Sequence, residues 1–226
     1  MTVTEDIIDS LGQQIVDGKY LPNEKLPNER DLAAQFGVAR GRIREALRGL
    51  SMAGLVEIKR GNGTFVKHPD SWVDSTTVRW AFCETGASME ELLVVRDVLE
   101  KGIYEQAYNY CNNLDLECIQ RQLINLQDAM PLSVPEFADA LDEFDLAMAK
   151  VSRNVLFLRL FQALLILRRD KVEEILAFEG SRVQSLRLRE RIYVSFKDRN
   201  KEEALEAIDD FFAKARSFAK DLPNRN

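Results

Sequence analysis

Three arginines recur at intervals of four residues between positions 40 and 48, which places them along one side of a helix. They are Arg40, Arg44 and Arg48, and Gly41 and Arg42 lie beside the first of them. A guanidinium fork can bind the edge of a guanine base or a phosphate group, so the first turn of such a helix could enter the major groove of DNA. An isolated arginine stripe is more often a solvated charged face than a DNA-binding surface. The neighbouring elements are needed to distinguish these two interpretations.

The elements around these arginines have the order of a helix-turn-helix. Thr4 is expected to cap a first helix. Asn28 as the N-cap and Gly37 as a left-handed stop predict a short second helix over residues 29–36. A third helix then carries the arginines, has its apolar residues on one face, and ends near Gly54. The arginines are therefore expected on the helix that would read DNA.

A β-hairpin is predicted directly after the third helix. Residues 55–59 and 64–66 alternate as short strands, and the glycines and asparagine between them suit a tight turn. Lys59 and Arg60 give the hairpin a cationic edge, and Gly61 allows the backbone to approach a sugar-phosphate surface closely. A hairpin wing beside a basic helix favours DNA binding over a solvated charged face.

Charge is distributed unevenly along the chain. The 226 residues carry a formal net charge of -6, which alone would argue against a nucleic-acid-binding protein. The segment from Lys19 to His68, however, contains ten basic and five acidic side chains. This segment is suited to DNA, and the acidic remainder is suited to a different task.

The same segment resembles the winged helix of the GntR family of transcription regulators. The likeness lies in the run LPNERDLAAQFGVARGRIREALRGLSMAGLVEIKRGNGTFV and covers about residues 5–67. Ala39 stands where the family usually has a capping serine, and Gly41 where it usually has threonine, so an operator sequence different from the family's usual one is expected. The resemblance and the helix spacing together imply DNA contacts from Arg30, Arg40, Gly41, Arg42, Arg44, Arg60 and Gly61.

The rest of the chain shows only helical patterning. Similar apolar stripes continue to about residue 219 and predict an all-α bundle of about six helices. The expected fold is mainly α, with a winged helix-turn-helix over residues 1–69, a linker with a short helix over 70–87 and a helical domain over 88–226. The first stripe of the bundle consists of Leu92, Val95, Leu99, Ile103, Gln106 and Tyr110.

This second part resembles the FCD sensor domain of the FadR subfamily. The segments RDVLE, VSRN and EEALEAIDDFFAKA carry the likeness. The resemblance implies a helical bundle with an interior ligand cavity, dimerisation and effector-controlled DNA binding. Many such domains hold a metal with one Asp and three His, and the corresponding positions here are Leu141, Asp145, Arg189 and Phe211. Because a transition metal needs three or four converging donors, no metal is expected.

A small organic acid or sugar acid is the expected effector, since guanidinium groups match carboxylates. Arg96 is the first candidate anchor, although it could instead pair with Glu100 one turn away. Arg189 is the second, although it could extend outward to solvent. An acyl thioester, which metal-free relatives imply, is the alternative ligand. The effector site is expected to contain Arg96, Leu141, Asp145, Arg189 and Phe211.

The residues oppose an enzyme. The chain has one histidine, His68, and contains no G-x-S-x-G motif and no phosphate-binding glycine loop. Neighbouring carboxylates such as Asp142 and Glu143 point about 100° apart on a helix and do not form a catalytic pair. A pure interaction scaffold would explain the acidic bundle but not the basic wing.

The expected partners follow from this class of function. A homodimer would bind a palindromic double-stranded operator, and its effector would modulate that binding, most simply as a repressor. The three cysteines form no C-x-x-C pair, and no cofactor is expected. No stretch of about 18 apolar residues is present, so the expectation is a cytoplasmic protein with no membrane partner.

Overall fold

The structure, a computed structural model, describes residues 2–73, 75–83 and 89–220. The chain divides into two compact units, Met1–Ala81 and Phe82–Asn226. Part of the expected linker, at residues 74 and 84–88, lies outside the described residues, as do the last six residues of the expected helical domain.

The first unit begins with three helices, α1 (Val3–Val16), α2 (Glu29–Phe36) and α3 (Arg40–Met52). Asn28 accepts hydrogen bonds from the first backbone N–H groups of α2, and Gly37 ends α2 in a left-handed conformation, as predicted. The predicted cap of α1 at Thr4 is wrong. Thr2 caps the helix instead, because its hydroxyl and the Glu5 carboxylate satisfy each other's backbone N–H groups in a capping box.

A two-stranded antiparallel sheet follows α3. Strand β1 (Val56–Lys59) pairs with β2 (Gly63–Val66) so that Val56 lies opposite Val66. A 3-10 turn (Pro69–Ser71) and helix α4 (Ser75–Cys83) come next. Apolar side chains from α1, α2, α3 and the sheet form one core, and this core fixes which face of α3 points to solvent. The predicted hairpin wing is confirmed.

The described part of the second unit is entirely helical. It contains six helices within residues 89–220, in agreement with the predicted bundle. They are α5 (Met89–Tyr110), α6 (Asn113–Asp128), α7 (Val134–Val151), α8 (Val155–Leu176), α9 (Ser181–Lys197) and α10 (Lys201–Lys220). The mainly α fold class, a winged helix-turn-helix followed by an all-α bundle, is confirmed.

The predicted buried stripe of α5 is partly wrong. Val95 and Tyr110 are more than half exposed, whereas Arg96 and Glu100 are buried. Two charged residues therefore occupy the interior face of α5, and the apolar pattern alone pointed to a face rotated away from it. No helix in the described part of the chain has the length and apolar character needed to span a membrane.

Candidate functional site

The first candidate site is the solvent-exposed face of α3. Ile43, Leu47 and Leu50 are buried in the core of the first unit. Their position turns Arg40 and Arg44 outward, where both are exposed. Gly41, Arg42 and Arg48 are exposed on the same helix, and Arg30 is exposed on α2. All the expected DNA-contacting residues of α2 and α3 are therefore accessible to a ligand.

Arg44 forms an ion pair with Glu29 at the start of α2, a contact that was not expected from the sequence. Its Nε and Nη2 donate to the two carboxylate oxygens of Glu29 at 3.0 and 2.7 Å. This hydrogen bonding lowers the pKa of Glu29, and the charges of Arg44, Arg40 and Arg48 act in the same direction. The arginine stripe thus surrounds one carboxylate at the start of α2, and the fork of Arg44 is oriented before any ligand arrives.

Arg42 and Arg30 have different surroundings. The Arg42 Nη1 lies 3.3 Å from the Glu45 carboxylate and 3.4 Å from the Thr4 hydroxyl, so Arg42 points towards α1. Arg30 pairs loosely with its neighbour Asp31 at 3.4 Å. The structure therefore separates Arg42 from the Arg40, Arg44 and Arg48 side of α3.

The wing presents an exposed tip with cationic side chains on its flank. Gly61 at the tip has a φ of +73°, and Arg60 beside it is exposed. The ammonium groups of Lys59 and Lys25 lie 5.1 and 5.9 Å from the centre of the Phe65 ring. Lys25 also pairs with Phe65 through its backbone, so the segment before α2 contributes to the wing. Lys25 is one of the ten basic side chains between Lys19 and His68, and its place beside the wing was not expected from the sequence.

The second candidate site is a buried charge cluster in the helical unit, centred on Asp145 of α7. Asp145 is fully buried and accepts a hydrogen bond from the Tyr104 hydroxyl at 2.9 Å. Arg189 of α9 donates to both of its carboxylate oxygens. Arg168 of α8 donates to Oδ2 at 3.0 Å. Asp145 therefore ties together four helices, α5, α7, α8 and α9.

The charges in this cluster shift one another. Burial alone would raise the pKa of Asp145, but the Arg189 and Arg168 guanidiniums hold it below its ordinary value. Burial, with the Asp145 charge, raises the pKa of Tyr104 well above its ordinary value. Burial also raises the pKa of Asp142, against the charges of Arg168 and Arg169. Within the cluster, the two arginines therefore favour the ionised form of Asp145, whereas burial disfavours the ionised forms of Tyr104 and Asp142.

A cavity of about 60 Å³ adjoins this cluster. Its wall combines charged and apolar side chains from α5, α7, α8, α9 and α10. Among the expected effector residues, Arg96, Leu141, Arg189 and Phe211 line it, and Asp145 lies behind Arg189. The lining also includes Arg168, Val172, Leu176, Ser185 and Leu188.

The structure settles the geometry of the two expected arginines. Arg96 Nε donates to Glu100 at 2.7 Å, so the intrahelical pair forms, although in the interior. Arg189 is only 1% exposed, so its outward alternative is wrong. Its guanidinium lies 4.8 Å from the centre of the Phe211 ring. Arg96, Arg189 and Phe211 are therefore brought together as one wall of the cavity.

Arg168 was not among the expected site residues. It is followed by Arg169 and Asp170, a charge run that ordinarily marks a solvated helix end. In the structure Arg168 is 2% exposed and its Nη2 donates to Asp142 at 2.7 Å as well as to Asp145. Two acidic residues on an otherwise apolar helix, Asp142 and Asp145, were the sequence feature that could have indicated a buried basic partner.

Comparison with known proteins adds to this geometry. Residues 3–66 match the family described as "Bacterial regulatory proteins, gntR family", and residues 91–214 match the family described as "FCD domain". The chain is 33% identical over 124 residues to the galactonate operon transcriptional repressor of Escherichia coli, a match that covers 53% of this chain and 54% of that protein. It is 34% identical over 143 residues to the regulator LutR of Bacillus subtilis, covering 63% and 64%.

The match thus spans between about half and two thirds of these relatives. Among solved structures, a GntR protein of Streptococcus agalactiae has the same fold, with a TM-score of 0.75 over 95% of this chain and 99% of that one at 23% identity. The named relatives are transcription regulators and not enzymes, as the sequence indicated.

Proposed function

The chain belongs to the gntR family of bacterial regulatory proteins and carries an FCD domain, and on that premise we propose that it is a sequence-specific DNA-binding regulator. The observation that carries the proposal is the exposed arginine face of α3 beside a cationic wing. Arg40 and Arg44 would contact bases or phosphates in the major groove, and Arg60 and Gly61 the backbone beside it. Arg30, Gly41 and Arg42 complete the proposed interface.

A gel-shift titration with the promoter fragment of the protein's own gene tests this. Binding should weaken steeply with salt, because each neutralised phosphate releases counterions. Arg40→Ala and Arg44→Ala should each cost about 1 to 3 kcal/mol if the side chain contacts a base. Arg121→Ala, an exposed arginine of the helical unit, is the matched control and should bind as the wild type does. Unchanged affinity in both α3 variants would overturn the proposal.

The proposed effector is a small organic acid or sugar acid bound in the cavity of the helical unit. Three buried arginines, Arg96, Arg168 and Arg189, line this cavity, and guanidinium groups recognise carboxylates. The name of the galactonate operon repressor points to an operon for a sugar acid. An acyl thioester is disfavoured, since a cavity of about 60 Å³ is far below the 300 to 1,000 Å³ or so of sites for larger ligands.

Two further parts of the proposal are a homodimer and repression. Helix α5 packs against α8, and both expose apolar side chains, among them Val98 and Leu156, which are 74% and 72% exposed. A second copy of the chain would cover such a surface. A palindromic operator and release of DNA by the effector then follow as expectations. The galactonate operon relative is itself named a repressor.

Light scattering of the full chain tests the dimer. Wild type should have the mass of two chains, and Val98→Asp combined with Leu156→Asp should have the mass of one. Leu114→Asp, another highly exposed leucine of the helical unit, is the matched control and should leave the mass unchanged. A wild-type protein that is monomeric at micromolar concentration would remove the homodimer from the proposal.

A further inference from the structure

Arg168 carries unused hydrogen-bond donors in the interior of the helical unit. Its Nη2 donates to Asp142 and Asp145. Its Nε and Nη1, which together carry three N–H groups, have no partner although the side chain is almost fully buried. Buried donors without partners are costly, and each calls for an explanation.

The neighbouring arginines are occupied by comparison. Arg189 uses Nε and Nη2 on Asp145, and its Nη1 donates to Ser185 at 2.7 Å. Arg96 is paired with Glu100 on its own helix. Arg189 is therefore engaged through all three of its nitrogens, and Arg96 is engaged by Glu100 through its Nε.

The carboxylate partners of Arg168 are shared with other arginines. Asp145 is held more closely by Arg189, and the second oxygen of Asp142 accepts from Arg169 at 3.2 Å. The charge of Arg168 is therefore balanced only by carboxylates that also serve other cations, while its unused N–H groups remain available to an anion in the adjoining cavity.

Resting on the proposed regulator function, we propose that Arg168 is the anion receptor of this cavity and that its ligand is a compact organic carboxylate. The carboxylate accepts hydrogen bonds from the unused N–H groups of Arg168. Its carbon skeleton lies against the apolar side chains of Val172, Leu176 and Leu188, which line the same cavity. The volume of about 60 Å³ limits the ligand to a small acid.

Two substitutions distinguish a ligand-binding role of Arg168 from a role in stabilising the fold only. The incoming carboxylate shares Arg168 with Asp142, so Asp142 competes with the ligand. Arg168→Met should abolish binding, whereas Asp142→Asn should strengthen it, because a neutral side chain leaves more of the guanidinium charge to the ligand. A residue with a purely structural role would lower stability in both variants without this opposition.

The test is isothermal titration and thermal shift on the full chain without DNA, with glycolate and L-lactate as probes. Glycolamide and L-lactamide, in which an amide replaces the carboxylate, are their neutral counterparts. At least one acid should bind and neither neutral compound should. Arg168→Lys, which keeps the charge but not the fork, should weaken binding by at least about tenfold. Arg182→Met is the matched control, because Arg182 donates to the Leu132 carbonyl and does not line the cavity.

Gel shifts in the absence of any acid keep this test separate from the proposed function. If DNA binds but neither acid does, the carboxylate proposal is overturned and the DNA-binding proposal stands. If an acid binds but DNA does not, the DNA-binding proposal is overturned and the carboxylate proposal stands. If Arg168→Met does not fold, Arg168→Lys and Asp142→Asn decide the matter. Acid binding that is unchanged in these variants but lost in Arg96→Met would assign the anion to Arg96 and overturn Arg168.

Discussion

The guanidinium of Arg189 forms a hydrogen-bonded ion pair with the carboxylate of Asp145. The Arg189 Nη2 lies 2.9 Å from Oδ1 and 2.8 Å from Oδ2, and the Nε lies 3.0 Å from Oδ1. One residue comes from α9 and the other from α7, and neither side chain is more than 1% exposed. Both stand at positions where the resemblance to the FCD domain would place metal ligands. A cross-link between helices that a metal could supply is here supplied by an ion pair.

Asp145→Asn is the variant that should disturb this cross-link most. The asparagine keeps the shape but leaves Arg168 and Arg189 without their shared anion in the interior. Removing one partner of a buried ion pair costs about 3 to 5 kcal/mol. Urea unfolding followed by circular dichroism should show a loss of this size, with Asp139→Asn, a mostly exposed acid of the same helix, near wild type. A loss below about 1 kcal/mol would contradict the ionised network.

The same carboxylate predicts how stability depends on pH. The folded-state pKa of Asp145 lies below its ordinary value, so the folded protein binds this proton less readily than the unfolded chain. The stabilising contribution is therefore complete above the ordinary pKa of about 4 and is lost as the pH falls through the folded value. Unfolding free energies measured from about pH 7 to about pH 3 should fall more steeply in wild type than in Asp145→Asn. Parallel curves would contradict the prediction.

Metal content is a separate consequence of the Arg189 and Asp145 pair. A divalent cation at this position would face a guanidinium in place of a donor, with Leu141 and Phe211 at the other two positions. Elemental analysis of protein purified without a chelator should therefore find zinc and nickel well below one per chain. A stoichiometric metal that disappears in Asp145→Asn would contradict this.

Parts of this structure were predictable because they depend on local interactions. The bounds of α2 follow from Asn28 and Gly37, whose capping preferences act within a few residues. The start of α1 was misplaced because Thr2 and Thr4 are both plausible caps, and only Thr2 has a glutamate three residues later to complete a capping box. The Thr2 and Glu5 spacing was therefore a readable signal for the start of α1, and the choice of Thr4 overlooked it.

The buried charges could not be predicted in the same way. Burial of Arg168 depends on Asp142 and Asp145, which are 26 and 23 residues away on another helix. The sequence pattern treats a charged residue as exposed, and only the packing of α7 against α8 shows that this arginine is compensated. The exposed arginines of α3 were predictable, since the apolar face of the helix determines the opposite face, but the bond from Arg44 to Glu29 was not.

The wing offers a test that leaves the helical unit untouched. Gly63 has a φ of +119°, and a Cβ there would lie 2.5 Å from the Lys25 Cε. Gly63→Ala should therefore strain the backbone by about 1 to 3 kcal/mol and displace Lys25 from the wing. DNA affinity should fall while acid binding by the helical unit is retained. Gly41→Ala, where a Cβ meets open space on a helix that tolerates alanine, is the structural control for stability. Equal melting temperatures for Gly63→Ala and wild type would contradict the strain.

The last prediction concerns Glu29, which orients the fork of Arg44. In Glu29→Gln the amide can pair with only part of the guanidinium, so Arg44 gains freedom while the DNA-facing surface loses a negative charge. Affinity for unrelated DNA should rise, because phosphate attraction increases. Discrimination between operator and unrelated DNA should fall several-fold, because an oriented bidentate contact is worth about 1 to 3 kcal/mol of base selectivity. Fluorescence anisotropy with both DNAs at two salt concentrations measures the two effects separately. Glu45→Gln changes the same charge beside Arg42 and should raise non-specific affinity without the loss of discrimination, and an equal loss in both variants would show that Glu29 acts through charge alone.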